Sequence, residues 1–415
     1  MTTDIVILNW NGKDFLGKYL PSVLRSVEGI EGVRVVVADN GSTDGSLRFL
    51  ASEFPGVHTV RFTKNHGFAK GYNKALSQLQ ADCFILLNSD VEVPPHWLHP
   101  LIEWMELHPE CGICGPKLHR MDRRDVFEYA GAAGGYIDRL GFPFCRGRVM
   151  DRLETDEGQY DIPADVFWVS GAALMVRSSL FHDLGGLCED FIAHMEEIDL
   201  CWRARLEGWK VCVVPRSTVY HLGGGSLAND SPRKLFLNFR NNLLMLSRNL
   251  AKTCALNFCF NLCAEMTGED EGPDSIENCR ETFINGRPEE IAEISATMGL
   301  LKSNAIIRRR MLVDDIISLI YLLRGRMDYF KAVHRAHREF RSMRKKISEK
   351  NLAHFVMEAA GSDNPGIVRT MLCENEGGEN FGATYFGVRG MWSKWCVWQN
   401  VFKKDAIFAE IKNLF

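Results

Sequence analysis

Asn, Asp, Ser and Gly recur at four places in the first ninety residues, each directly after an apolar run. These are Asn9-Trp10-Asn11-Gly12, Asp39-Asn40-Gly41-Ser42, Lys64-Asn65-His66-Gly67 and Asn88-Ser89-Asp90. Any one of them is an ordinary turn, since these residue types supply turn geometry. Four in succession offer carboxylates, amides and an indole to a common polar ligand. Farther along, Glu196-Glu197 and Asp199 open a helical stretch, and His221 stands before Gly223-Gly224-Gly225. A carboxylate set to take a proton is a general base. One carboxylate and one imidazole can share a divalent cation with a phosphate-bearing ligand.

Other chemistries find no support. A dinucleotide fold would open its first strand into G-x-G-x-x-G, and NWNGKD at 9–14 does not; a G-x-x-x-x-G-K-[ST] loop is also missing. The later GAAGGY at 131–136 has glycines but no strand before it. Cys111 and Cys114 have no second C-x-x-C pair at zinc spacing, so they read as small core thiols.

The elements that must position the polar turns follow from hydrophobic periodicity. Apolar runs at 5–8, 33–37, 57–62 and 83–87 read as strands, and 13–27, 46–54 and 68–79 carry helical spacing. This alternation predicts an α/β fold with a mainly parallel sheet flanked by helices, whose ligands sit beyond the carboxyl ends of the strands. Residues 91–230 are less regular, with strand-like 167–176 and 210–214 around a helix near 195–207. A further helix is expected at 232–249.

At about 150 residues per unit, 415 residues suggest two to three units. Hydrophobic residues make up 46% and charged residues 25%, so the chain can bury a large core. A net charge of -4 provides no general field for nucleic acid, and none is expected as a partner. That total conceals a contrast: residues 251–300 hold 3 basic and 10 acidic side chains, residues 301–350 hold 14 and 5. The MTTDIVIL start has no secretion signal, no apolar run reaches about 20 residues, and the 13 cysteines lie mostly in apolar surroundings. A cytoplasmic protein with reduced thiols is expected.

Several longer motifs carry a resemblance. They are IVILNWNG at 5–12, VVVADNGSTDGS at 35–46, KNHGFAKGYNKA at 64–75, FILLNSDVEV at 84–93, GPKL at 115–118, SGAALMVRSSLF at 170–181, EEIDLCWRARLEGWKV at 196–211 and HLGGGS at 221–226. In order and spacing they resemble glycosyltransferase family 2, the inverting GT-A enzymes, and in particular its bacterial rhamnosyltransferase-like branch. The resemblance implies a GT-A catalytic domain over residues 1–250. It implies a UDP- or dTDP-sugar donor, Mg²⁺ or Mn²⁺, and a saccharide or polyprenyl-linked saccharide acceptor in cell-surface polysaccharide synthesis.

By the same resemblance, Asp39 reads the pyrimidine, Asn9 and Trp10 flank the base, and Asn65 lines the nucleotide site. Asn88-Ser89-Asp90 stands where the family has D-x-D, so Asp90 is the expected metal ligand, with Asn88 a neutral donor contact and His221 completing the coordination. Glu197 occupies the place of the catalytic base, beside Glu196. Ser170, Gly171, Glu196, Asp199, Arg233 and Arg240 are expected near acceptor or diphosphate. Asn88 and Glu197 depart from the usual Asp at their positions. Such departures would also suit a catalytically silent nucleotide-sugar-binding or membrane-associated scaffold protein.

The remainder is only partly familiar. Residues 251–305 form an acidic segment that does not resemble the family. Residues 306–346 combine an apolar stretch with many Arg and Lys and read as a basic amphipathic helical region suited to an anionic membrane surface or a homo-oligomer contact. A peripheral location on the inner face of the plasma membrane follows as an expectation. Residues 347–415, with Trp392, Trp395 and Trp398, are unassigned.

Overall fold

A computed structural model describes residues 1–149, 152–223, 231–267 and 275–361. The chain begins β1 (Thr3–Asn9), α1 (Lys13–Ser26), β2 (Val33–Asp39), α2 (Ser46–Glu53), β3 (His58–Arg61), α3 (Phe68–Leu76) and β4 (Cys83–Leu87). These are the seven elements that the periodicity predicts, in the same order. β5 (Val91–Glu92), α4 (Leu98–Leu107) and β6 (Cys111–Arg120) follow. A smaller four-stranded sheet contains β7 (Gly135–Ile137), β8 (Pro143–Cys145), β9 (Arg148–Val149) and β10 (Arg152–Leu153). The chain then returns through β11 (Ala164–Asp165), β12 (Ala173–Arg177), α5 (Ser178–Asp183), α6 (Glu196–Leu206) and β13 (Lys210–His221). Five helices finish the described chain: α7 (Pro232–Thr267), α8 (Ser275–Asn285), α9 (Pro288–Leu323), α10 (Met327–Met343) and α11 (Glu349–Ala360).

The main sheet runs β11-β13-β6-β12-β4-β1-β2-β3, with β5 paired to β13. β4, β1, β2 and β3 are mutually parallel, as are β13 and β6. β12 inserts antiparallel between β4 and β6. β1 and β4 are apolar on both faces because helices cover both sides: Val6 and Leu86 join one core layer, Ile5, Ile7 and Ile85 the other.

Several expected boundaries move. The strand predicted over 167–176 is confined to β12, and the glycine-rich 131–136 runs into strand β7 at Gly135. β13 continues past Val214 to His221, because beyond an irregularity at 214–217 it pairs again with β6 at Thr218–His221 and with β5 at Tyr220 and His221. The helix predicted over 232–249 runs on to Thr267. The 250/251 and 305/306 divisions therefore fall inside α7 and α9. α7 belongs to the sheet domain at one end and to the helical region at the other, since Leu243 to Phe260 bury in the same core as Phe84 and Leu174.

Arg310 of α9 ties the two together. It lies 3.4 Å from the Phe142 ring centroid, donates to Leu140 O at 3.3 Å and to Asn242 Oδ1 of α7, and pairs with Asp314 at 2.8 Å. Asp314 also meets His337 of α10 at 3.3 Å. The basic region 306–346 is thus two helices. α10 turns Tyr329, Ala332, Val333, Ala336, His337 and Phe340 inward. Trp392, Trp395 and Trp398 lie outside the described residues.

Candidate functional site

The first three turns lock together through their polar side chains. Asn9, fully buried at the end of β1, donates from Nδ2 to Asp39 Oδ1 at 3.0 Å and to Ser42 Oγ at 3.1 Å. Asp39 Oδ2 accepts from the Ser42 amide at 3.0 Å. Gly41 between them has φ 74°, and an added Cβ would come within 2.5 Å of the Lys64 backbone, so only glycine fits. Asn40 bonds Asn65 Oδ1 at 3.1 Å, Gly67 O at 2.9 Å and the His66 amide at 2.9 Å. The expected nucleotide residues Asn9, Asp39 and Asn65 therefore meet at one edge of the sheet. Beside them the Trp10 indole is 56% exposed and free to stack. Asn40 and Ser42 complete this network. Both lie in the quoted motif, yet the sequence reading assigned them no part.

The next turn brings metal-type donors together. β5 pairs with β13 so that Val91 faces His221, and Leu222 N bonds Asp90 O at 3.1 Å. This register places His221 Nε2 3.3 Å from Asp90 Oδ1, both groups being buried. On the other side of the ring, Nδ1 lies 3.6 Å from Glu128 Oε1. That is too long for a hydrogen bond, and Nδ1 has no other partner. Burial opposes the imidazolium, but Asp90 and Glu128 outweigh it and push His221 up to about 10. The two carboxylates thus favour a charged histidine, which would have to release its Nε2 proton before that nitrogen could ligate a cation.

Glu128 is a site residue that sequence reasoning missed. Its Oε2 accepts from the Ala130 amide at 2.5 Å, and no local spacing links it to His221, 93 residues away. Among the described residues no group of three or more His, Cys, Asp or Glu is arranged to hold a metal ion. Asp90 and His221 alone fit neighbouring positions of an octahedral ion, whose ligands at about 2.1 Å lie roughly 3 Å apart. The rest of the shell would have to come from ligand phosphates and water.

The third group is the acidic pair. Glu196 and Glu197 begin α6, after His194 and Met195 in the left-handed region at φ 72° and 76°. Glu197 is partly accessible as a residue, but its Oε2 is sealed without a hydrogen-bond partner, and so is that of Glu196. Burial pushes Glu197 up to about 7, against backbone amides at the helix start that favour the carboxylate. Glu196 rises well above the carboxylate range through burial and the neighbouring charges of Glu197 and Asp199. A carboxyl near 7 is suited to take a proton at neutral pH.

Ser170-Gly171-Ala172 joins these groups. A Cβ on Gly171 would lie 3.2 Å from Glu197 Cβ. Ala172 O accepts from Asn88 N at 2.9 Å, two residues before Asp90. Ser170 Oγ donates to Ala130 O at 2.6 Å, two residues after Glu128. A Cβ on Gly12 would lie 3.8 Å from Ser89 Oγ, which brings the nucleotide edge alongside. Ser170 itself pins the 130–131 loop and has little left to offer a ligand.

Two expected contacts turn inward. Asp199 is fully buried and held by Arg203 at 2.8 Å, Arg248 at 3.2 Å and Asn249 at 2.8 Å; three donors on one carboxylate anchor α6 to α7. Arg240 is buried against Asn241, Asp190 O and Glu339, so it does not face a diphosphate. Arg233 is exposed at the start of α7. Its neighbour Lys234, half-buried, acts on both Glu128 and His194. Burial and the Lys234 charge push His194 down to about 4, so that ring is neutral. The glycines at 224 and 225 lie outside the described residues.

Residues 4–184 match Glycosyl transferase family 2. Over 264 residues the chain is 27% identical to the N-acetylglucosaminyl-diphospho-decaprenol L-rhamnosyltransferase of Mycobacterium tuberculosis, covering 59% of this chain and 83% of that protein. Among solved structures, GalNAc-T7 with UDP, GalNAc and Mn²⁺ aligns with a TM-score of 0.46 at 17% identity, over 59% of this chain and 47% of that one. A mannosyltransferase from Pyrobaculum calidifontis in complex with GDP-Man and Mn²⁺ aligns at 0.45 and 13% identity, over 83% and 88%.

Proposed function

Residues 4–184 being a glycosyl transferase family 2 domain and the chain a glycosyltransferase of the rhamnosyltransferase-like branch, we propose that it works by a metal-dependent inverting displacement. The donor is a UDP- or dTDP-sugar, rhamnose being the first to try, and the acceptor is a saccharide or polyprenyl-linked saccharide of a cell-surface glycan. The M. tuberculosis relative, named for a decaprenol-linked substrate, supports that acceptor class. The observation that supports the mechanism is the run of contacts through Ser170-Gly171-Ala172, which links the helix start carrying the sealed, unpartnered Glu197 carboxyl to the turn that carries Asp90, the partner of His221.

In this reading the Asn9–Asp39–Ser42 network seats the pyrimidine and Trp10 stacks on it. Asp90 and His221 would hold Mg²⁺ or Mn²⁺, which would neutralise charge on the leaving diphosphate. Glu197 takes the proton of the acceptor hydroxyl as that oxygen attacks the anomeric carbon from the face opposite the diphosphate. Glu196, kept protonated, adds no second negative charge beside it. A thermal-shift screen of nucleotide sugars with and without Mn²⁺ tests the proposal. Asp90→Ala should remove the metal-dependent part of the shift, and an undiminished shift would overturn the metal assignment.

The acceptor side is read from α9. Leu312, Ile316, Leu319 and Leu323 form an exposed apolar ridge, flanked by exposed Lys302, Arg308, Arg309 and Arg324. Apolar burial with flanking positive charge suits an anionic membrane surface. Among the described residues no helix is long and apolar enough to cross a membrane. Leu319→Glu with Leu323→Glu should abolish sedimentation with phosphatidylglycerol vesicles. Retained vesicle binding, or a ridge that instead pairs two copies in ultracentrifugation, would refute this.

A further inference from the structure

The turn that delivers Glu197 is held from α7. His194 and Met195 both have positive φ, and neither is glycine. L-residues with side chains resist that conformation unless their surroundings impose it. Asn241, fully buried on α7, donates from Nδ2 to Ala193 O at 2.7 Å and to His194 O at 2.8 Å. Its Oδ1 accepts from Arg240 Nε at 3.0 Å and Nη2 at 2.9 Å. The guanidinium occupies the oxygen side, so the amide nitrogen must face the two carbonyls. Arg240 also reaches Asp190 O at 3.3 Å, just before the turn, and Glu339 of α10 at 3.4 Å. Every polar atom of the Asn241 side chain is thus engaged in shaping 190–195.

We propose that Asn241, oriented by Arg240, is a positioning residue: it holds the 193–195 turn left-handed and so keeps Glu197 enclosed against Gly171. The inference rests on Glu197 being the base. Of the titratable groups nearby, Glu196 and Cys201 on α6 interact with Glu197 itself, while Asp199 and Tyr72 of α3, whose phenol also feels Asp90, act on Glu196; His194 precedes them on the turn. Ser170-Gly171-Ala172 adds none. Without its two carbonyl bonds the turn relaxes, water reaches Glu197, and the carboxyl returns toward its ordinary range.

Infrared titration of the full chain tests this without turnover, the Glu197→Gln spectrum being subtracted to isolate the band. Asn241→Asp keeps the volume and removes both donors, and Asn241→Ala removes the side chain. Each should lower the Glu197 midpoint by about one pH unit or more. Asn241→Ser, which keeps one donor, should fall between them and wild type, and serves if the other two do not fold. Leu246→Ala thins the packing of the same helix against Gly141 and should leave the midpoint in place. An unchanged midpoint in the Asn241 variants, or an equal fall in Leu246→Ala, overturns the proposal.

Turnover with whichever nucleotide sugar the thermal-shift screen selects is the separate arm. Asn241→Asp should lower kcat about 10²-fold with donor Kd unchanged, and a loss confined to Kd counts against positioning. Wild-type turnover in Glu197→Gln would instead defeat the base assignment, whatever the infrared result.

Discussion

At the ends of β1, β2 and β3 the polar side chains are mostly spent on one another, Asn9 on Asp39 and Ser42, Asp39 on Ser42, Asn40 on Asn65 and the 66–67 backbone, although the buried Asn9 Oδ1 has no hydrogen-bond partner. Around β4, β13 and α6 they are not. Glu196, Glu197 and His221 each keep a buried polar atom without a hydrogen-bond partner, and the chain before Glu197 is held left-handed. Buried groups left unpaired are costly, so the second region carries a demand that a ligand or a proton can meet. The first region is held by its own hydrogen bonds. In the proposed function the first region recognises the donor and the second carries the chemistry.

The largest expected effect lies on the poised side. Glu197→Gln should lower turnover by roughly 10²- to 10⁴-fold while nucleotide binding, measured by calorimetry, stays as in wild type. A fall in binding of the same size would blur the two regions into one. On the rigid side, Gly41→Ala should cost roughly 2–4 kcal/mol of stability, from a left-handed backbone and the clash with Lys64. Urea denaturation checks this, and a loss below about 1 kcal/mol would show that the turn yields.

A smaller effect follows from protonation. Glu197 is raised to about 7 in the fold, by burial, above its unfolded value. Its contribution to stability is therefore fully present below the unfolded value and is lost as pH rises through about 7. Glu197→Gln should then be more stable than wild type at pH 8 by about 1–3 kcal/mol, with the gap closing near pH 4. Thermal melts at the two pH values measure it, and a gap independent of pH would remove burial of the charge as the cause. Smallest of all, Trp10→Ala should weaken UDP binding by about 1–2 kcal/mol through lost stacking, with the melting temperature unmoved because the indole is exposed.

Most of the rigid side was legible in the residue order. Each of its turns directly follows a strand, so hydrophobic period and turn chemistry place Asn9, Asp39 and Asn65 together. The poised side was legible only in part. Asp90, Glu197 and His221 stand in recognisable motifs, but Glu128 meets His221 across 93 residues and has no sequence mark. Asn241 had a faint one: the polar run Arg240-Asn241-Asn242 interrupts the mostly apolar sequence between Leu235 and Leu246. Asp199 and Arg240 misled because an acidic residue in the first turn of α6 and a cation on α7 suit a ligand as well as they suit each other's helices. Burial against Arg203, Arg248 and Asn249 decided for the core.

The sequence by itself determined the alternation of strands and helices, the strand-end turns and the family resemblance, because period, turn propensity and motif spacing are local properties. Tertiary structure decided which ionisable groups are left wanting. Pairing β5 with β13 puts His221 between two carboxylates, and α7 bonds the 193–195 turn that leads into Glu197. Protonation depends on burial and through-space charge, and these exist only once distant segments of the chain have met.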